Sequence, residues 1–223
     1  MAGIVRGLAG LESYLDKANA PFDDAPKAKW VKLDDGQTVK INFLQEIDAD
    51  SPNYSEKAGT TFLAVEHSNP DDYKKKALCT LEDEGACYGC EQARAHPKTG
   101  WRSRGRLYAN VLVDDGANDP YVAILSQGTS GKSITPTLVM FAADAGGITG
   151  SAFRIKRSGM GTATEYSLVP IMKSDGVNPD DYDLFDLEKV CTRHVPYAEQ
   201  KDFYGFVEAD EAPPEETTPS LEW

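Results

Sequence analysis

The chain has 223 residues, 40% of them apolar, and a formal net charge of −13. That is enough apolar material for one good-sized domain or two small ones. No run of eighteen apolar residues occurs, which excludes a membrane-spanning helix. The opening MAGIVRGLAGLESYL lacks a basic stretch leading into a continuous apolar run, so no secretory signal is read there. Cysteines at metal spacing without an export signal imply a reducing compartment, the cytoplasm. Charge is unevenly spread: residues 173–223 hold 14 acids and 4 bases, whereas residues 27–106 hold 13 of each. Within the balanced part, residues 92–106 carry Arg94, Lys98, Arg102, Arg104 and Arg106 and no acid. Blocks of opposite sign on one chain suggest a binding surface plus an interaction tail.

In chain order, residues 1–20 read as a short amphipathic helix with Ile4, Leu8, Leu11 and Leu15 on one face. Such a helix docks on its own body or reaches a neighbouring copy. Residues 21–26, PFDDAP, are a linker, so residues 1–26 form an N-terminal unit. Trp30–Leu33 is a short strand, Asp34-Asp-Gly36 a turn, and Thr38–Leu44 a strand with Val39, Ile41 and Phe43 facing the core. Thr60–His67 is a further β-rich run, and Glu91–Ala95 a short helical turn. Arg106–Val113 is the clearest strand, with Tyr121–Leu125 as its return arm. A helix spans Ile134–Ala145 and stops at Gly146-Gly147. Ser151–Arg157 and Thr164–Val169 form the last hairpin, and Asp183–His194 reads as a helix in a C-terminal segment, residues 173–206. Val207–Trp223 holds six acids, three prolines and no base, and is expected to be disordered. The pattern is mainly β with some α and suits an OB-type barrel over residues 27–172, with an insertion at about residues 67–100.

That insertion contains His67, Cys79, Cys87 and Cys90 in the pattern H-x11-C-x7-C-x2-C, with three of the chain's four cysteines. One imidazole and three thiols within twenty-four residues are what a tetrahedral structural zinc ion needs. Cys87-Tyr-Gly-Cys90 is a knuckle in which Gly89 is free to take a positive φ. The fourth ligand has alternatives: His96 lies six residues past Cys90, and Cys191 is a distant thiol. Without metal, the same residues would be buried or redox cysteines.

Behind the cluster, Trp-Arg-Ser-Arg-Gly-Arg (101–106) runs into Leu-Tyr-Ala-Asn-Val-Leu-Val (107–113). Arginines contact phosphates and rings such as Trp101 and Tyr108 stack bases, a combination that grips single strands without reading sequence. The plainer reading is a solvated edge strand. Arg154, Lys156 and Arg157 on the late hairpin make a weaker cluster, and Lys40, Arg94, Tyr121 and Lys132 are further candidate contacts. Residues 126–133, SQGTSGKS, imitate a phosphate-binding loop but begin with serine where G-x-x-x-x-G-K-[ST] needs glycine. No nucleophile motif or paired-carboxylate site stands out. Asp114 and Asp115 with magnesium would suit a nuclease, although a hairpin turn explains them better.

A strand pair, then a His–Cys cluster ending in C-x2-C, then a basic stretch leading into YANVLV resembles the zinc-containing single-stranded DNA-binding proteins of T-even and other tailed phages. The resemblance covers roughly residues 27–206, and its specific part is His67–Val113. It implies an OB-fold with an inserted zinc subdomain and DNA in the cleft between them. By it, His67, Cys79, Cys87 and Cys90 hold one structural Zn2+, and Arg102, Arg104, Arg106 and Tyr108 lie in the DNA-binding segment. It also implies an acidic tail, here Glu208, Asp210, Glu211, Glu215, Glu216, Glu222 and Trp223, that recruits replication and recombination proteins in the host cell cytoplasm. The ligand spacings are a residue or two shorter than that family's best-known pattern. Its basic N-terminal arm is not recognisable, since residues 1–20 set Arg6 and Lys17 against Glu12 and Asp16. The expected function is a non-enzymatic coat on single-stranded DNA in phage replication, recombination and repair, with self-association along the strand. The rivals are a zinc-stabilised protein adaptor and, behind it, a metal-dependent nuclease.

Overall fold

A computed structural model describes residues 27–171 and 176–205. The expected N-terminal helix, its linker and the acidic tail lie outside the described residues. Seven strands form one antiparallel sheet: β1 (Thr38–Phe43), β2 (Phe62–Ser68), β3 (Lys76–Leu78), β4 (Arg104–Asp114), β5 (Tyr121–Gly128), β6 (Ala152–Ser158) and β7 (Glu165–Pro170). The helices are α1 (Leu81–Glu84), α2 (Tyr88–Ala95), α3 (Thr135–Ala145), α4 (Leu187–Cys191) and α5 (Tyr197–Tyr204). None of the described helices is long and apolar enough to cross a membrane.

β4 organises the sheet. Its first half pairs with β2, from Tyr108 opposite Phe62 to Arg104 opposite Glu66. Its second half pairs with β1, from Val111 opposite Phe43 to Asp114 opposite Lys40. β5 lines its other edge from Arg106 to Val113. β2 and β1 therefore leave the same edge of one strand in sequence, and the sheet divides there into two lobes. One lobe carries β1, β6, β7 and β5 around an apolar core; the other carries β2 and β3 into the His–Cys region.

The core follows from period-two alternation. Val39, Ile41 and Phe43 of β1 point inward with Leu107, Ala109, Val111 and Val113 of β4, Phe153 and Ile155 of β6, and Ile134 and Leu138 at α3. Phe43 and Phe153 meet edge to face at 5.5 Å between centroids. α3 ends at Gly146, whose φ of 77° supplies the left-handed cap. Below it, the buried Glu46 carboxylate accepts from Ile148 N (2.7 Å) and Thr149 N (3.0 Å).

The expected barrel is corrected: the sheet is not closed. β7 is tied instead to the loop after β5, through a main-chain bond from Tyr166 N to Lys132 O (2.8 Å). Ile134 and Leu138 cover the apolar surface that a closing strand pair would have buried. The Trp30–Leu33 strand reduces to a single bridge between Trp30 and Ile124. The helix expected over 183–194 is confined to Leu187–Cys191. Asn110 is the reason: its side-chain amide donates to Phe185 O (3.0 Å) and accepts from Phe185 N (3.1 Å), holding the preceding residues out of helix.

Candidate metal centre and basic strip

The ligand atoms of His67, Cys79, Cys87 and Cys90 all lie within 4.8 Å of one another, and the group could bind a metal ion. Three pieces of chain deliver them. His67 sits near the end of β2, Cys79 follows β3, Cys87 caps the N-terminus of α2, and Cys90 lies one turn inside it. β3 brings Cys79 back beside β2, with Ala77 opposite His67. His96 caps the far end of α2, and Cys191 packs with Ala64, Tyr108 and Ile124, so neither belongs to the cluster.

The spacing tests whether an ion fits. Four ligands around a tetrahedral ion with bonds of about 2.3 Å to sulfur and 2.0 Å to nitrogen stand about 3.8 Å apart for two sulfurs and about 3.5 Å for sulfur and nitrogen. Here Cys79 Sγ and Cys90 Sγ are 3.6 Å apart, and Cys90 Sγ lies 3.3 Å from His67 Nε2. His67 Nδ1 lies 2.9 Å from Trp101 O. A carbonyl can only accept, so Nδ1 carries the hydrogen and Nε2 keeps its lone pair for the cluster.

Charge agrees with geometry. Burial pushes the Cys90 thiol up to about 12, and the neighbouring Cys79 and Cys87 add to the rise. Burial also raises Cys79. Burial opposes ionisation of Cys87 too, but the adjacent His67 imidazole and the backbone N–H groups of Cys90 and Thr80 bring it down to about 6. Three sulfurs this close do not all become thiolates without a positive charge among them, and a divalent cation supplies one.

Gly89 is corrected in its role. It is not among the glycines with positive φ but lies inside α2. What it provides is close approach: a β-carbon there would come within 2.4 Å of His67 Cγ. Only glycine lets α2 lie against the imidazole.

The supporting shell comes largely from α5, more than a hundred residues away. Buried Gln200 accepts from Tyr88 N (2.9 Å) and donates to Thr80 Oγ1 and Val195 O, both at 3.0 Å. It thereby satisfies one of the orphan N–H groups at the start of α2. Tyr204 stacks near Tyr88 and donates to His67 O (3.3 Å). Nothing local in the sequence marks Gln200 or Tyr204, because their partners are set by the return of the C-terminal segment.

The expected stacking residues are the main revision. Trp101 is only 3% exposed, its ring edge-on to Tyr88 and Tyr204, so it is core of the metal lobe. Tyr108 is 1% exposed and covered by α4. Its hydroxyl accepts from Lys76 Nζ (3.0 Å) and faces Glu66, which pairs with Lys76 at 2.9 Å. Neither ring presents an open face. The small lobe has few apolar residues and spends its aromatics on its own core.

The arginines are disposed differently. Arg102 and Arg104 are exposed and make no ion pair among the described residues; Glu66, opposite Arg104, is committed to Lys76. Arg106 is half-buried and donates to Ser126 Oγ (3.0 Å). Arg94 is exposed in the last turn of α2. Lys40, Arg154 and Lys156 share the outer face of β1 and β6, with Lys40 next to Asp114 (3.6 Å). Ten residues of β4, about 33 Å, separate that group from Arg104. Arg157 donates to Leu33 O (2.7 Å), Lys132 to Thr162 O (3.2 Å), and Tyr121 lies half-buried beneath Lys29. Asp114 and Asp115 accept backbone N–H bonds from Gly116, Ala117 and Asn118, which ties the hairpin turn.

No family model, curated protein or solved structure matches this chain.

Proposed function

We propose that this protein binds single-stranded DNA without strong sequence preference, holding one structural zinc ion in the His67, Cys79, Cys87 and Cys90 cluster. The observation that carries the reading is the hydrogen bond from His67 Nδ1 to Trp101 O. It couples the ligand set to the main chain at the residue from which the unpaired Arg102 and Arg104 depart. Zinc suits the donors because three thiolates and one imidazole in a closed set are a structural zinc arrangement. The ion acts by position: it fixes the start of β4 and performs no chemistry. Phosphate contacts then provide salt-dependent attraction, and base stacking selects strands whose bases are not already paired. The replication and recombination setting, the recruitment of partners by the acidic tail, self-association along DNA and a host-cytoplasm location belong to the same reading and follow the phage resemblance.

The deciding experiment titrates the protein with oligo-dT and with duplex of equal length at several salt concentrations. Tighter binding of the single strand, weakening linearly with log salt, is the expected result; equal affinity for both would sink the proposal. Metal analysis tests the zinc, with one ion per chain expected and loss of it in His67→Ala.

A second reading, a zinc-stabilised adaptor for proteins, draws on a groove of about 540 Å³ beside Cys79 and Cys90. Its floor includes Leu63 and Val65, 49% and 43% exposed, and its rim carries Glu82, Asp83 and Glu188. An acid-rimmed apolar groove repels phosphate and suits a protein segment. Unchanged DNA affinity after replacement of Arg102 and Arg104 would favour it.

A further inference from the structure

With Trp101 and Tyr108 buried, a single-stranded DNA-binding surface needs another aromatic platform set among cations. Lys27-Ala-Lys-Trp-Val-Lys32 has that chemistry: three lysines around one tryptophan, with no acid. Lys27, Lys29 and Lys32 are exposed, and Trp30 is 36% exposed.

The segment is held in place along the edge of β5. Ile124 N donates to Lys29 O at 2.7 Å, and Val31 N donates to Ile124 O at 2.9 Å. These two bonds bracket Trp30 and fix its backbone. The indole then meets the buried Tyr108 ring edge to face, 6.4 Å between centroids and 71° between planes. One side of the indole is thus supported while part of it stays in solvent, which lowers the ordering cost of receiving a base.

Its surroundings complete a site. Ser126, two residues along β5 from the bridge at Ile124, accepts from Arg106, so that guanidinium is held on the same face of the sheet. Phe62 packs on the other side of Tyr108 at 5.8 Å. Lys29 Nζ stands 5.0 Å from the Tyr121 ring centroid. Cations with an exposed ring between them match a phosphate backbone carrying a stackable base, and the charge excludes a basic protein partner.

We propose that Trp30 is the base-stacking residue of this protein, with Lys29, Lys32 and Arg106 receiving the flanking phosphates of a single strand. The inference rests on the single-stranded DNA reading above, and its test separates the two. The full chain is titrated with oligo-dT and with an abasic oligomer of equal phosphate number, comparing wild type, Trp30→Phe, Trp30→Ala and the double variant Lys29→Gln with Lys32→Gln. One stacked base corresponds to roughly a 5- to 150-fold difference in affinity. Trp30→Ala is expected to lose that much on oligo-dT and almost nothing on the abasic strand, and Trp30→Phe to recover most of it. The lysine variant is expected to weaken both ligands and to lower the salt slope by about 0.7 for each contact removed. Photo-cross-linking of 5-iodouracil oligomers to the wild-type protein needs no variant to fold, and the adduct is expected in the peptide holding Trp30. Wild-type failure to bind oligo-dT overturns both readings. Wild-type binding with unchanged Trp30→Ala affinity, or cross-links confined to other peptides, overturns the Trp30 assignment alone.

Discussion

The two lobes that share β4 are stabilised by different means. The body encloses Phe43, Val111, Phe153, Ile155 and Leu138 with many apolar neighbours, and removal of water from that surface is sufficient to hold it. The metal lobe has a core of Ala77, Tyr88, Trp101, Val195 and Tyr204, joined by the buried polar groups His67, Thr80 and Gln200. A cluster this small does not offset the chain entropy of four separate segments, which is the usual circumstance for a structural metal. The difference implies that the lobes respond to different insults. It also implies that the exposed arginines at the start of β4 depend on the weaker lobe for their placement.

If the cluster holds the proposed ion, the largest effect should follow its loss. Structural zinc contributes on the order of 10 kcal/mol to small domains that bind it. Chelation, or Cys87→Ser, is expected to expose Trp101 and red-shift its emission while the β signal of the body persists with its own cooperative melt. Emission unchanged on complete metal removal would show that the small lobe stands without an ion. The converse disturbance is Phe153→Ala, which leaves a cavity beside Phe43 and Phe141. It should cost about 3–5 kcal/mol in denaturant unfolding of the body with metal content intact. Simultaneous loss of metal would mean that the two lobes unfold as one.

How far the sequence could show this division depends on the range of the forces. Alternation of Val39, Ile41 and Phe43 is a local signal, and β1 appears where it predicts. The His67, Cys79, Cys87 and Cys90 spacing is local too, and the four ligand atoms converge. Trp101 was not legible, because its neighbours Tyr204 and Val195 arrive from the far end of the chain. An arginine-rich context is a correlate of exposure, whereas a small lobe short of apolar residues is a physical reason for burial. The open sheet was hidden for a similar reason: strand patterns count strands but do not say whether α3 or another strand covers the last edge. The short α4 depends on Asn110, a partner 75 residues away from Phe185.

A smaller effect tests the polar frame of the metal lobe. Gln200→Ala removes the acceptor for Tyr88 N and the donor to Thr80 Oγ1 and Val195 O. Leaving buried groups unpaired costs about 1–3 kcal/mol, here confined to one lobe. Amide exchange at Tyr88 should quicken by roughly 5- to 150-fold, with exchange at Val111 in the body unchanged. Equal acceleration at both positions would contradict the division.

The smallest effect on stability should come from the two arginines proposed to meet phosphates. Arg102 and Arg104 are exposed and unpaired among the described residues, so replacing both with glutamine should move the melting free energy by no more than about 0.5 kcal/mol. If each meets one phosphate, the double variant loses about 1.4 from the slope of log affinity against log salt, since a single strand yields about 0.7 per contact. A metal-stripped wild type provides the matching control, because its arginines are present but no longer held by the His67 to Trp101 bond. It should lose affinity at low salt as the double variant does, although its arginines keep their charge. Full affinity in the stripped protein would mean that the arginines act as diffuse charge, and that the ion stabilises a lobe without positioning a binding surface.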